Sequence, residues 1–214
     1  MSEPARDARA EVLGRVDAAL AGVPRETAAP PPAPRRASPA DVVALFAERV
    51  ADYRATVVRV APADVGPAVA EALAGTAGVV VPEGLSVDVP GGIVDDGALT
   101  AAELDRIEAV VTDAAVGIAE TGTIVLDHGA GQGRRAITLV PDVHVCLVRA
   151  DQVVTDVPDA VTLLAPSVRA GRPLTWISGP SATSDIELSR VEGVHGPRRL
   201  TVVLIDFMPP SPLR

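Results

Sequence analysis

A carboxylate, two hydroxyls and a glycine lie together between two runs of β-type residues near the middle of the chain. They are Glu120, Thr121, Gly122 and Thr123, in the segment AVGIAETGTIVLDHGAGQGRR. Gly122 permits a tight turn with a positive φ, and strand ends of an α/β sheet commonly face a crevice. Glu120 is therefore a candidate base, nucleophile or ligand anchor, and the other three are candidate ligand-binding residues. The alternative is a polar β-turn whose hydroxyls satisfy local backbone groups.

Glycine occupies every second position from 129 to 133, directly before Arg134 and Arg135. The third glycine comes one residue too early for the dinucleotide-binding pattern, and the next apolar run begins at Ile137. No room is left for the helix which that pattern must open. Two interpretations fit the segment: an anion-binding loop served by Gly131, Arg134 and Arg135, or a flexible hairpin connection.

Hydroxyl and acidic side chains cluster again in the segment ISGPSATSDIE, residues 177–187. Ser184 and Glu187 have the spacing of a capping box, so one interpretation is a strand, a turn and the start of a helix. The other is an anion held by N–H groups at that helix terminus, although acids in the first turn weaken such binding. The motif departs from G-x-S-x-G, which argues against a serine hydrolase. The candidate ligand-binding residues are Gly179, Pro180, Ser181, Thr183, Asp185 and Glu187.

The three histidines of the chain do not have the spacing of a metal site, so no metal ligands are predicted. His144 lies inside the apolar run Val143–Val148, where a core histidine is the first interpretation and a catalytic one the second. Cys146 follows two positions later, so both side chains should face the same side of a strand. We expect a buried structural cysteine, with a redox-active Cys/His pair as the alternative.

Alternating helix and strand signals position these segments. Ser38 is the predicted N-cap of a first helix, which precedes a strand at Thr56–Val60. A second helix is predicted near Ala63–Ala74, followed by a strand at Val79–Val81. Thr100 begins a capping box that opens a short helix.

From Ala109 onward the chain is dominated by β-rich runs, with one helix near Asp159–Ala165. Several runs are almost wholly apolar, as expected of strands buried on both faces. We therefore predict a single α/β domain with a mainly parallel sheet flanked by helices, and with antiparallel strands in the centre of the chain. The predicted strands are Val110–Val111, Ile124–Leu126, Ile137–Val140, Val143–Val148, Leu174–Ile177 and Leu200–Ile205.

Two segments precede this domain, which is predicted to span residues 40–214. Residues 1–23 form an amphipathic helix, whose apolar face packs on the domain or docks on a partner. Residues 24–39 hold six prolines and are predicted to be a linker.

Composition excludes several classes of function. The 214 residues include one cysteine, four aromatic residues and no lysine, with a net charge of −9. A single thiol cannot ligate an iron–sulfur cluster, and without lysine there is no Schiff-base chemistry and no P-loop. An acidic chain with few aromatic residues is a poor nucleic-acid binder. No apolar run reaches the roughly 18–20 residues of a membrane span, and no signal peptide is evident, so a cytoplasmic location is expected.

Four separated segments occur in the order found in one protein family. They are GIAETGTIVLDHG, VHVCLVRADQVV, ISGPSATSDIE and GVHGPRRLTVVLID, and over roughly residues 40–207 the chain resembles the LUD domain family. It resembles the short members, which lack the cysteine-rich segments of longer relatives. The resemblance implies a fold similar to ribose-5-phosphate isomerase, glucosamine-6-phosphate deaminase and CoA transferases. It also implies a role in oxidising L-lactate to pyruvate with two iron–sulfur partner proteins, while this chain itself binds no cofactor.

Three classes of function remain open. The first is a subunit of a lactate-oxidising system. The second is a free-standing enzyme, similar to CoA transferases or sugar-phosphate isomerases, that acts on a small acid, thioester or sugar phosphate with Glu120 as base or nucleophile. The third is a ligand-sensing regulatory protein. Because the resemblance matches both polar loops to signature positions of the family, we predict a shared pocket for a small anionic ligand, with Glu120 and Asp185 in or beside one cleft. The oligomeric state is left open.

Overall fold

The computed structural model describes residues 3–23, 41–180, 182–183, 191–192 and 196–206. Its α-helices are α1 (Glu3–Leu20), α2 (Val42–Asp52), α3 (Val65–Ala72), α4 (Ala101–Leu104) and α5 (Val157–Arg169). Its strands are β1 (Thr56–Val60), β2 (Val79–Pro82), β3 (Ile93–Asp95), β4 (Ala109–Asp113), β5 (Val116–Ile118), β6 (Thr123–Leu126), β7 (Val143–Arg149), β8 (Val153–Val154), β9 (Thr175–Ile177), β10 (Ala182–Thr183), β11 (Val191–Glu192) and β12 (Arg199–Ile205). Short 3-10 helices span Pro62–Asp64, Arg135–Thr138 and Ala150–Gln152.

A six-stranded sheet with the order β1-β12-β7-β4-β2-β3 forms the centre of the fold, and all its neighbouring strands are parallel. β4 and β7 are buried along nearly their whole length. Their sequences are almost continuous apolar runs because a covered parallel sheet removes both faces of its central strands from water. The predicted α/β domain with a mainly parallel sheet and flanking helices is confirmed.

A second sheet has the order β8-β5-β6-β9. β6 is antiparallel to both β5 and β9, so the expected antiparallel strands in the centre of the chain are present. α5 covers this sheet, burying Ala160 and Leu164 in a cluster with Val116, Ile118 and Val125.

The main core cluster contains residues of both sheets and of α2. Phe46 and Val50 of α2 are fully buried together with Ile124 and Leu126 of β6 and Leu204 of β12. α2 therefore holds one end of the second sheet against the first. The two polar loops, around Gly122 and Gly179, also pack against α2 and its end.

The start of α2 differs from the prediction. Its N-cap is Asp41, whose carboxylate accepts a hydrogen bond from the Ala44 N–H at 2.8 Å, and Ser38 lies outside the described residues. Asp and Ser are both favoured N-caps, so a serine at position 38 does not by itself fix where the helix starts.

The predicted strand Ile137–Val140 is wrong, because the 3-10 helix Arg135–Thr138 occupies its first two residues and a turn and a bend its last two. Ile137 is fully buried among Val80, Leu104 and Val110, and the Thr138 hydroxyl donates to the carbonyl of Arg135. A short apolar run cannot by itself distinguish a strand from a buried helical turn. The Gly-rich segment is consequently not a hairpin connection.

The chain divides into two compact units, residues 1–35 and 36–214. The first contains α1, whose apolar side chains Val12, Leu13, Val16 and Leu20 are each about half exposed. The predicted linker at residues 24–39 lies outside the described residues. None of the described helices combines the length and the apolar character needed to cross a membrane.

Candidate functional site

The Glu120–Gly122 turn joins β5 to β6 and is packed against α2. Gly122 has a φ of 57°, and a Cβ placed there would come 2.6 Å from the carbonyl carbon of Arg49. The Glu120 N–H donates to the carbonyl oxygen of Thr155 at 3.0 Å. The predicted tight turn with a positive φ is confirmed, and glycine is required there both by backbone conformation and by space.

The two polar loops meet through hydroxyl groups. Thr121 Oγ1 donates to Thr123 Oγ1 at 2.8 Å, and Thr123 Oγ1 lies 2.8 Å from Ser178 Oγ. Gly179, with a φ of 88°, lies against Tyr53 at the end of α2. The start of the second loop is thus anchored beside the first.

The remainder of the second loop is described only in part. The backbone of Thr183 belongs to β10, which pairs with β11. Ser181, Asp185 and Glu187 lie outside the described residues, so the shared cleft of Glu120 and Asp185 stays a prediction.

A cavity of about 240 Å³ opens between the end of β9 and the first residues of β7 and β12. It brings together four residues that the sequence had singled out in three separate segments: Arg135, His144, Gly179 and Pro180. Sequence reasoning missed Thr138, Trp176 and Ser178, which also line it. Thr123 contacts the lining residue Ser178, but Glu120, Thr121 and Thr123 are not themselves among the described lining residues.

His144 lies at this cavity as a neutral imidazole. Its Nε2 is 2.8 Å from Thr112 Oγ1, and burial lowers the pKa of His144 to about 4. Thr112 Oγ1 also contacts Cys146 Sγ at 3.7 Å, so both side chains face the same side of the sheet as predicted. Burial raises the pKa of the Cys146 thiol to about 12, which favours the buried structural cysteine over a redox-active pair.

Arg134 and Arg135 have different surroundings. Arg134 makes two hydrogen bonds to the Asp95 carboxylate, at 2.8 and 2.9 Å, and a third to the carbonyl of Leu99. These bonds hold the pKa of Asp95 below its usual range. Within the described part of the chain, the guanidinium of Arg135 has neither an ion pair nor a hydrogen bond.

The Gly-rich loop is tied into the protein by its own backbone. The Gly131 N–H donates to the carbonyl of Glu83 at 3.0 Å, and the Gly129 N–H donates to the Asp127 carboxylate at 3.1 Å. These two amides are therefore already occupied, which leaves Arg135 as the better placed of the predicted anion-binding groups here. The role of Gly131 as a ligand-binding residue stays a prediction.

A second cavity of about 460 Å³ lies at the carboxyl ends of β4 and β7. Its Asp113 accepts hydrogen bonds from the N–H and the hydroxyl of Ser86, and burial raises the pKa of this carboxyl. Arg149, on the same cavity, pairs with Asp151. Its charged side chains thus have protein partners. Across the described residues, no three His, Cys, Asp or Glu side chains are grouped to hold a metal ion.

The fold and its sheets define an α/β protein, and the comparisons with known proteins give the family. The sequence profile of the LUD domain matches residues 94–205, and the chain belongs to this family. Lactate utilization protein C of Deinococcus radiodurans is 48% identical over 206 residues, which are 93% of this chain and 96% of that protein.

Two further relatives extend the comparison. Lactate utilization protein C of Bacillus pumilus is 41% identical over 93 residues, covering 42% of this chain and 38% of that protein. The crystal structure of a DUF162 family protein from Deinococcus radiodurans superimposes with a TM-score of 0.69 at 45% identity. The superposition covers 79% of this chain and 99% of the chain in the crystal structure, so the described fold is the fold of a solved relative.

Proposed function

We propose that this chain is the cluster-free subunit of a cytoplasmic system that oxidises L-lactate to pyruvate together with iron–sulfur partner proteins. The observation that carries the proposal is the 48% identity to a protein named lactate utilization protein C over 93% of this chain. Identity at this level over nearly the full length of both proteins supports a shared role.

The chemistry of the chain supports the need for partners. Oxidation of a hydroxyl to a ketone releases two electrons, which require an acceptor. The chain has one cysteine, Cys146, and that thiol is buried and protonated. Several thiolates are needed to hold a cluster, so the iron–sulfur centres of this proposal belong to other chains.

Deletion of the gene in its native host tests the proposal. We expect growth on L-lactate as sole carbon source to be lost and growth on pyruvate to be retained. A plasmid copy of the gene should restore growth on L-lactate. Unchanged growth of the deletion strain on L-lactate would contradict it.

A second candidate is supported by the cavity at His144, in which Arg135 is the one charged residue among the described lining residues. Such a site suits a chain that binds a small acid unaided, as a free-standing enzyme or a ligand sensor. Turnover of an acyl-CoA or a sugar phosphate by the purified chain, abolished in Glu120→Gln, would favour the enzyme. Binding without turnover in a strain that still grows on L-lactate would favour the sensor.

A further inference from the structure

The cavity between β7 and β9 has a positive charge that no described carboxylate pairs with. Arg135 is the only charged side chain among its described lining residues, and its guanidinium has no carboxylate partner in the described part of the chain. A guanidinium can bind a carboxylate through two parallel hydrogen bonds. The cavity therefore favours a ligand that carries a negative charge.

The second polar group of the cavity is a ring nitrogen of His144. Nε2 is occupied by Thr112, and Nδ1 has no hydrogen-bond partner among the described residues. In that part of the chain every fully buried side-chain nitrogen or oxygen has a partner. No described residue satisfies Nδ1, and the open space beside His144 is this cavity. A ligand oxygen would supply the bond that this nearly buried ring otherwise lacks.

Thr112 allows His144 Nδ1 to act either as acceptor or as donor. When the Thr112 hydroxyl donates to Cys146 Sγ, the Nε2–H of His144 donates to Thr112 Oγ1, and Nδ1 is an acceptor. When the Thr112 hydroxyl instead donates to Nε2, Nδ1 carries the proton. The imidazole is neutral in both arrangements, so it can accept from a ligand hydroxyl or donate to a ligand carbonyl without gaining charge.

We infer that the cavity binds a small 2-hydroxy or 2-oxo monocarboxylate, with its carboxylate on Arg135 and its 2-oxygen on His144 Nδ1. This choice of ligand class rests on the proposed function, in which L-lactate is the substrate and pyruvate the product. The volume of about 240 Å³ is below the roughly 300–1,000 Å³ of sites for drug-sized molecules, which suits a ligand of few atoms. The dual role of Nδ1 fits both the hydroxyl of one ligand and the ketone of the other.

Trp176 gives a direct readout of binding, because it lines the cavity and is the single tryptophan of the chain. The purified full chain is titrated with L-lactate, with pyruvate, and with propionate, which keeps the carboxylate but lacks the 2-oxygen. We expect saturable fluorescence changes with L-lactate and pyruvate. The affinity for propionate should be at least about tenfold lower than that for L-lactate. A response to propionate equal to that of L-lactate, or no saturable response to either 2-substituted acid, would overturn the inference.

Matched variants locate the site. Arg135→Gln should weaken L-lactate binding about tenfold or more, since a charge-assisted pair is lost. Arg169→Gln removes the same charge at the exposed end of α5 and should leave the Kd unchanged. His144→Gln should lower the affinity for L-lactate toward that for propionate. Because Arg135 is exposed, its variant tests the site even where the buried His144 variant does not fold, and unaltered binding by Arg135→Gln would refute the assignment.

The growth assay separates this inference from the proposed function. A chain that binds neither acid yet restores growth on L-lactate to the deletion strain overturns the ligand site alone. A chain that binds L-lactate through Arg135, but whose gene is dispensable for that growth, confirms the ligand site and overturns the proposed function.

Discussion

At the residue scale, His144 is kept neutral by its surroundings at a cost that depends on pH. Its pKa in the folded chain is about 4, against an ordinary value of 6.5, because burial disfavours the charged ring. The unfolded chain therefore binds the proton more readily than the folded chain between these two values. The stability of the fold must fall as the pH falls through this window.

We predict that His144→Gln removes this part of the pH dependence. Between pH 7.5 and 4.5 the wild type should lose about 3 kcal/mol of unfolding free energy through His144, since one pKa unit corresponds to about 1.4 kcal/mol. Asp95 and Asp127, whose pKa values are lowered in the fold, titrate at lower pH and do so in both proteins. Urea unfolding at several pH values should show that the free energies of unfolding of the wild type and of His144→Gln come closer together as the pH falls. Parallel curves would show that His144 does not titrate in this way.

The Asp95–Arg134 pair is the second residue-scale determinant of stability. The Asp95 side chain is 3% exposed and accepts both bonds from the guanidinium. Asp95→Asn should cost about 2 kcal/mol, because a charge-assisted pair is replaced by weaker bonds and Arg134 loses its counter-ion. Asp88→Asn, at an exposed position, is the matched control and should change the denaturation midpoint very little. Equal midpoints for the two variants would contradict a structural role for the pair.

At the scale of elements, α2 positions both polar loops. Its Arg49 backbone excludes a side chain at Gly122, and Tyr53 at its end does the same at Gly179. The Thr123–Ser178 hydrogen bond then joins the loops to each other. The cavity at His144 is formed where the second loop passes the first residues of β7.

Gly122→Ala should disrupt this arrangement. The new Cβ would overlap the Arg49 backbone, which has no flexible end to move, and alanine is disfavoured at a φ of 57°. We expect a loss of more than about 2 kcal/mol in thermal or urea unfolding. Gly75→Ala is the control, because Gly75 has a φ of 80° but open space around it, and should lose only about 1 kcal/mol. Equal losses would show that contact with α2 is unimportant.

The sequence predicted the elements whose own residues decide their structure. β7 and β12 contain long apolar runs, and the reciprocal bonds between Thr100 and Glu103 form the predicted capping box. β3 was missed because it is a short, mostly exposed edge strand that depends on pairing with β2. The segment at Ile137 was misread because burial of that side chain does not require a strand.

The residues of the candidate site were found in part. Arg135, His144, Gly179 and Pro180 could be named from charge and loop chemistry, but nothing local shows that they meet. Trp176 and Ser178 were missed, since they look like a strand residue and a turn residue until the β6–β9 pairing is known. The contrast between Arg134 and Arg135 depends on Asp95, about forty positions away, and so cannot be read from neighbouring residues.

At the scale of the whole molecule, the chain is an α/β member of the LUD domain family with a cavity that Arg135 and His144 line. The resemblance of its fold to ribose-5-phosphate isomerase, glucosamine-6-phosphate deaminase and CoA transferases stays a prediction. That the chain acts with iron–sulfur partner proteins also stays a prediction. The central claim of the proposed function is that such partners move the electrons, because a single buried thiol cannot hold a cluster.

Co-purification from the native host tests that claim most directly. The tagged chain is isolated from cells grown on L-lactate, the isolate is analysed for iron, and reduction of an artificial electron acceptor is measured with and without L-lactate. We predict that iron-containing proteins co-purify with the chain and that acceptor reduction depends on L-lactate. Recovery of the chain alone and free of iron, from cells whose L-lactate oxidation persists without it, would contradict the claim.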